Sequence, residues 1–117
     1  MRKYFAASAV DSMAANIEEF INASDDVSNA ILGYNSSGDV SLTLPNAPAL
    51  DSFIVAHQIC NGSGAYDDPL GFANLNLLSP SGCRQRTSYN QMIRTGVAWS
   101  SSNAEATGGA IEIKQAA

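Results

Sequence analysis

The chain has 117 residues and a mass of 12.2 kDa, which suits one domain and is too short for two independent cores. No apolar run approaches the roughly 18 residues that span a bilayer, so the composition excludes a transmembrane protein. The net charge of −5 opposes contact with phosphates and argues against a nucleic-acid-binding surface.

Small side chains dominate the composition. Ala, Ser, Asn and Gly together supply 52 of the 117 residues, whereas lysine occurs only at Lys3 and Lys114. Short side chains lose little conformational entropy when they are ordered, so they suit close packing between subunits. With 25 Leu, Ile, Val and Phe residues, the chain should fold around a lean core that neighbouring copies can complete.

The first third of the chain has helical spacing. Val10, Met13, Ala14, Ile17, Phe20 and Ile21 recur at intervals of three and four, which predicts one amphipathic helix. Ser24 is a suitable N-cap for a second short helix that ends at Gly33. We therefore predict a helical segment over residues 1–33.

The remainder, residues 34–117, is predicted to be rich in sheet. Alternation predicts strands at Val40–Leu44, Phe72–Leu78 and Ala110–Gln115, and Ile111 and Ile113 of the last strand are expected to face the core. The segment Tyr89–Trp99 has a mixed pattern that predicts one strand or two short strands meeting at Gly96. Residues 48–60 fit either a helix or a buried strand, and the spacing of Leu50, Phe53 and His57 favours the helix. The predicted fold is a single α+β domain over residues 1–117, with a mostly antiparallel sheet.

The charges are distributed unevenly along the chain. Residues 1–40 carry six acids, whereas residues 69–104 carry no acid and three arginines. Such surfaces are complementary between copies of one subunit and favour head-to-tail contacts. The predicted contact residues are Glu18, Glu19, Asp25, Asp26, Arg84, Arg86 and Arg94.

Two cysteines, Cys60 and Cys83, are candidates for a disulfide that would close a Gly-, Ser- and Pro-rich loop. Two free buried thiols in a reducing compartment are the alternative. The aromatic side chains Tyr34, Tyr66, Phe72 and Trp99 are expected in the core.

Possible catalytic groups cluster around one segment. On a helix His57 and Cys60 would share a face, and Asp67 and Asp68 follow in the next loop. The only histidine and two cysteines supply too few ligands for structural zinc, and the acidic residues do not have the spacing of a calcium loop. We therefore predict no metal, no cofactor and no catalytic residue.

Two functions remain open. The profile favours a structural subunit of a repeated homo-oligomeric assembly, such as a virion coat, decoration or tail protein or a pilus-type filament, in an extracellular or surface particle. Its partners would be copies of itself and other components of the particle, without a membrane span or nucleic acid. The alternative is a small α+β enzyme or ligand-binding domain that uses His57, Cys60, Asp67 and Asp68.

Overall fold

The computed structural model describes residues 18–36, 39–61, 68–78, 83–90, 95–99 and 105–117. These residues form seven strands and contain no helix. The strands are β1 (Ala30–Asn35), β2 (Val40–Thr43), β3 (Phe53–Asn61), β4 (Ala73–Leu78), β5 (Cys83–Asn90), β6 (Gly96–Trp99) and β7 (Ala106–Ile113).

The strands form two antiparallel sheets. Five strands build the larger sheet in the order β1-β7-β3-β5-β4, and β2 pairs with β6 in the smaller one. The smaller sheet packs over β1 and β7. Strands β1 and β4 are therefore the two edges of the larger sheet.

The core lies between the two sheets. Side chains of β2 and β6, including Val40, Leu42 and Trp99, pack against the inner face of the larger sheet. There Gly33 of β1 lies directly opposite Gly108 of β7. A Cβ atom on Gly108 would lie 2.9 Å from both Trp99 Cζ3 and Val40 Cγ1, so the missing side chain makes room for the indole ring.

A buried carboxylate fixes the crossover from β2 to β3. Glu112 Oε1 accepts the amide of Ala49 at 2.7 Å, and Glu112 Oε2 accepts Asn29 Nδ2 at 2.8 Å. The Asn29 amide also binds the backbone of Asn46 through both its donor and its acceptor. One side chain of β7 thereby ties the crossover loop to the larger sheet.

The predicted α+β class is wrong, because the described part of the chain is all sheet. Residues 30–33, expected in a second helix, belong to β1, and residues 53–60, where a helix was favoured, belong to β3. Before β1 the chain is irregular, with Ala23 in an isolated bridge to Gln115. The predicted first helix falls largely on residues 1–17, which lie outside the described residues.

The remaining strand predictions agree better with the structure. Strands were predicted where β2, β4, β6 and the second half of β7 lie, and the predicted strand Tyr89–Trp99 covers the end of β5 together with β6. The predicted orientation of β7 is inverted, however. Ala110 and Glu112 are buried against the core, whereas Ile111 and Ile113 lie half-buried on the outer face.

Candidate self-association edge

Strand β1 has one edge with no strand beside it in the described part of the chain. The amide of Glu112 donates to Asn29 O at 2.9 Å, and Asn29 immediately precedes the residues paired with β7. In an antiparallel ladder, hydrogen-bonded and non-hydrogen-bonded positions alternate. The N–H and C=O groups of Ala30, Leu32 and Tyr34 therefore point away from β7, toward the open edge.

The side chains of β1 do nothing to protect this edge. The strand carries no charged residue and no proline, although lysine, proline and bulges are the usual devices that keep an edge strand from pairing. Its exposed positions are apolar and aromatic, since 82 % of Leu32 and 63 % of Tyr34 are exposed. Tyr34 was expected in the core, and the structure contradicts that prediction.

Tyr34 is held by one polar contact along the sheet. Its hydroxyl donates to Glu105 Oε2 at 2.9 Å, and this hydrogen bond to a carboxylate raises the pKa of Tyr34. The contact lies within the chain, on the β7 side of β1. It fixes the ring without occupying the open backbone edge.

The other strand edges are better protected. Strand β4 has an irregular register between Asn74 and Asn76 against β5, and such a bulge bends an edge away from a flat partner. Strands β2 and β6 have only four residues each, and short edges offer few hydrogen bonds. Among the described strands, β1 is thus the one edge that combines a regular ladder of six residues with an uncharged surface and large exposed apolar side chains.

The structure places two of the predicted contact charges, Asp26 and Arg86, in ion pairs within the chain. Lys114 Nζ lies 2.5 Å from Asp26 Oδ2, and Arg86 Nη1 lies 2.9 Å from Asp68 Oδ2. The ion pair with Lys114 lowers the pKa of Asp26, and it raises the pKa of Lys114. Asp68 also accepts hydrogen bonds from Ser88 and Asn74.

The other predicted contact residues lie on separate segments of the chain. Glu19 and Asp25 are exposed, and Glu18 is half-buried in the irregular segment before β1. Arg84 is half-buried in β5, two residues before Arg86. Arg94 lies outside the described residues.

The groups expected around His57 do not converge on one site. Because β3 is a strand, His57 lies on the outer face of the larger sheet and Cys60 on the inner face. Burial lowers the pKa of His57, although a hydrogen bond with Gln85 partly opposes this shift. Asp68 is bound to Arg86, and Asp67 lies outside the described residues.

The predicted disulfide is not present in the structure. Cys60 is a free thiol and only 1 % exposed. It lies opposite Ala106 on one neighbouring strand and Arg84 on the other. The backbone of Cys83 lies opposite Asn61, and its side chain is outside the described part of the structure.

The inner face has a polar region beside the core. Gln58 is completely buried, and no hydrogen bond reaches its amide group or the indole nitrogen of Trp99. A groove of about 470 Å³ opens nearby between Asp39, Ser41, Asp68 and Trp99. The amide atoms of Gln58 and the indole nitrogen of Trp99 are buried and do not reach the groove surface, so they do not form a ligand surface.

The described ranges contain no group of three His, Cys, Asp or Glu residues that could hold a metal ion. Within the same ranges there is no helix with the length and apolarity needed to cross a membrane. No protein-family model, curated protein or solved structure matches the chain significantly.

The sequence reasoning missed β1 as a site. Residues 30–33 were assigned to a helix, although Ile31 and Gly33 alternate with Leu32 and Tyr34 as they would on a strand. The useful signal was the absence of charge from residue 27 to residue 38. A surface strand without charge is a candidate edge for pairing.

Proposed function

We propose that this protein is a structural subunit that builds a homo-oligomeric assembly by pairing the open edge of β1. The observation that carries the proposal is that edge: a regular, uncharged strand whose Leu32 and Tyr34 side chains are largely exposed. Pairing an open edge with another chain satisfies its backbone groups and buries its side chains. Shells and filaments are repeated structures that use such contacts.

The composition supports the same proposal. A chain rich in Ala, Ser, Asn and Gly with two lysines has few long charged side chains to immobilise when surfaces meet. Exposed leucines lie on both edges of the larger sheet, Leu32 on β1 and Leu75 and Leu77 on β4. Apolar exposure on two different edges offers the second contact that a repeated structure needs.

The test is a lysine substitution at the open edge. We expect Leu32→Lys to weaken self-association at least about tenfold, equivalent to about 1.4 kcal/mol, because lysine on an edge strand opposes pairing. Light scattering coupled to size-exclusion chromatography over a concentration series measures the association constant. Leu50→Lys is the matched control, since Leu50 is 77 % exposed in the crossover loop and distant from β1 in sequence.

Folding of both variants is checked by thermal unfolding. Surface substitutions of this kind change stability by about 0.5 kcal/mol or less, so both variants should unfold like the parent chain. Loss of association in Leu32→Lys alone supports the proposal. A parent chain that stays monomeric at high concentration contradicts it, as does equal association of Leu32→Lys and the parent.

A further inference from the structure

We infer that the assembly is built from a two-fold dimer in which β1 pairs antiparallel with β1 of a second copy, with Leu32 on the symmetry axis. This inference rests on the proposed function and specifies the contact. In this arrangement Leu32 faces Leu32 of the partner, Ala30 faces Tyr34, and Ile31 faces Gly33. The two five-stranded sheets become one continuous ten-stranded sheet.

The backbone favours this register over its neighbours. Ala30, Leu32 and Tyr34 are the residues whose N–H and C=O groups point to the open edge, and the register places each opposite another of the three. All three pairs are then hydrogen-bonded pairs, which gives six inter-strand hydrogen bonds. A shift by two residues pairs Tyr34 or Ala30 with a residue outside β1 and leaves four inter-strand hydrogen bonds within β1.

A shift by one residue is excluded by the direction of the backbone groups. It would place Leu32 opposite Ile31 or Gly33, whose N–H and C=O groups point toward β7. These groups already belong to the ladder within the sheet. A one-residue shift would also place inner-face side chains on the outer face.

The side chains are complementary to themselves in this register. On either side of the central Leu32 pair, small Ala30 lies opposite large Tyr34 and Gly33 lies opposite Ile31, so each large side chain there meets a small one. The two Leu32 side chains, each largely exposed in one chain, meet at the centre on the outer face. Contacts between directly opposite apolar residues are a main source of stability between strands.

Charge also favours a second copy as the partner. Each chain carries a net charge of −5, so two copies repel unless they meet through a neutral surface. Strand β1 has no charged residue, and its flanking Asp26 is paired with Lys114. Glu105, the carboxylate nearest to Tyr34, accepts the tyrosine hydroxyl within its own chain.

Cysteine cross-linking tests the register. In Leu32→Cys the two introduced cysteines lie opposite each other with Cα atoms about 5.5 Å apart, within the range that a disulfide can bridge. Tyr34→Cys is the matched control on the same strand and face. Its two cysteines would be four residues apart, about 13 Å along the strand, and cannot bridge.

Each variant is oxidised mildly at a concentration where the parent chain associates, and run beside the parent on a non-reducing gel. Peptide mass spectrometry locates the bridge and separates it from any bridge at Cys60 or Cys83. A covalent dimer joined at residue 32, formed at least about tenfold faster than in Tyr34→Cys, is the expected result.

The other outcomes overturn the inference in distinguishable ways. If the parent associates but Leu32→Cys forms no bridge at residue 32, the β1 register is wrong and the assembly function stands. If both variants cross-link equally, the contact has a different register or is a random collision. If the parent does not associate at any concentration, the proposed function fails together with the register.

Discussion

Gly33 and Gly108 lie opposite each other on β1 and β7 and leave a shallow depression in the larger sheet. Trp99 and Val40 fill it from the smaller sheet, and Leu42 packs onto Gly33. The indole ring is only 2 % exposed as a result. The distance between the two sheets is thus set by residues that have no side chain.

We expect Gly108→Ala to lower the free energy of unfolding by about 1–3 kcal/mol, because its Cβ would press on Trp99 and Val40 in a filled core. Gly96→Ala is the matched control, since a Cβ there meets nothing within 4 Å. Such a change is neutral or stabilises by about 0.4–1 kcal/mol through the unfolded chain. Urea unfolding measures both, and equal stability of the two variants would refute this account of Gly108.

The sequence around Gly108 is misleading about secondary structure. Glycine is unfavourable inside a strand, and the last strand was predicted to begin at Ala110, whereas β7 begins at Ala106. The glycines serve tertiary packing, and a local pattern cannot show what lies across the core. Burial of Trp99 was predicted correctly, because a large aromatic side chain has few other places in a small domain.

Glu112 joins β7, the start of β1 and the crossover between β2 and β3. Burial alone would raise the pKa of Glu112, but hydrogen bonds from Asn29, the Ala49 amide and Ser52, together with the charge of Lys114, outweigh it and lower the pKa. The carboxylate therefore stabilises the folded chain at pH values above its ordinary pKa of 4.5. This contribution is lost as the pH falls through the lower pKa of the folded state.

We expect Glu112→Gln to cost about 1–3 kcal/mol at pH 7, because the new amide keeps one acceptor and turns its NH2 donors against either Asn29 Nδ2 or the Ala49 amide. As the pH is lowered below 4.5, the free energy of unfolding of the parent should decrease more steeply than that of the variant. Denaturant unfolding between pH 3 and 7 measures both slopes. Asp51→Asn, the corresponding carboxyl-to-amide change at an exposed residue, is the control. If the free energies of unfolding of the parent and Glu112→Gln depend on pH in parallel, the role of Glu112 is contradicted.

Element types were predictable where the period was unambiguous. The run Val40–Thr43 alternates cleanly between buried and exposed residues, and it was predicted as a strand. Residues 53–60 place apolar side chains on both faces of β3, interrupted only by His57 and Gln58, so a period of two and a helical period fit them equally well. That ambiguity also misplaced His57 and Cys60, which a helix would have put on one face.

Association of whole molecules through charged surfaces and association through β1 predict different responses to salt. Contacts between acidic and arginine-bearing surfaces weaken as salt screens their attraction. The structure uses Arg86 and Asp26 in pairs within the chain, which the sequence could not show because the partners are distant along it. Pairing through β1 joins uncharged strands of two chains that each carry a net charge of −5.

We therefore expect self-association to be unchanged or stronger when the salt concentration rises from about 0.1 M to 1 M, as the Debye length falls from about 10 Å to 3 Å. Screening reduces repulsion between like-charged chains and leaves the backbone hydrogen bonds and apolar contacts of β1 in place. Sedimentation velocity at matched protein concentrations measures the dimer fraction. Leu32→Lys, run in parallel, should recover part of its lost association at high salt, because its two lysines meet at the axis. A parent chain that dissociates as salt increases would assign the contact to the charged surfaces and exclude β1 as its main source.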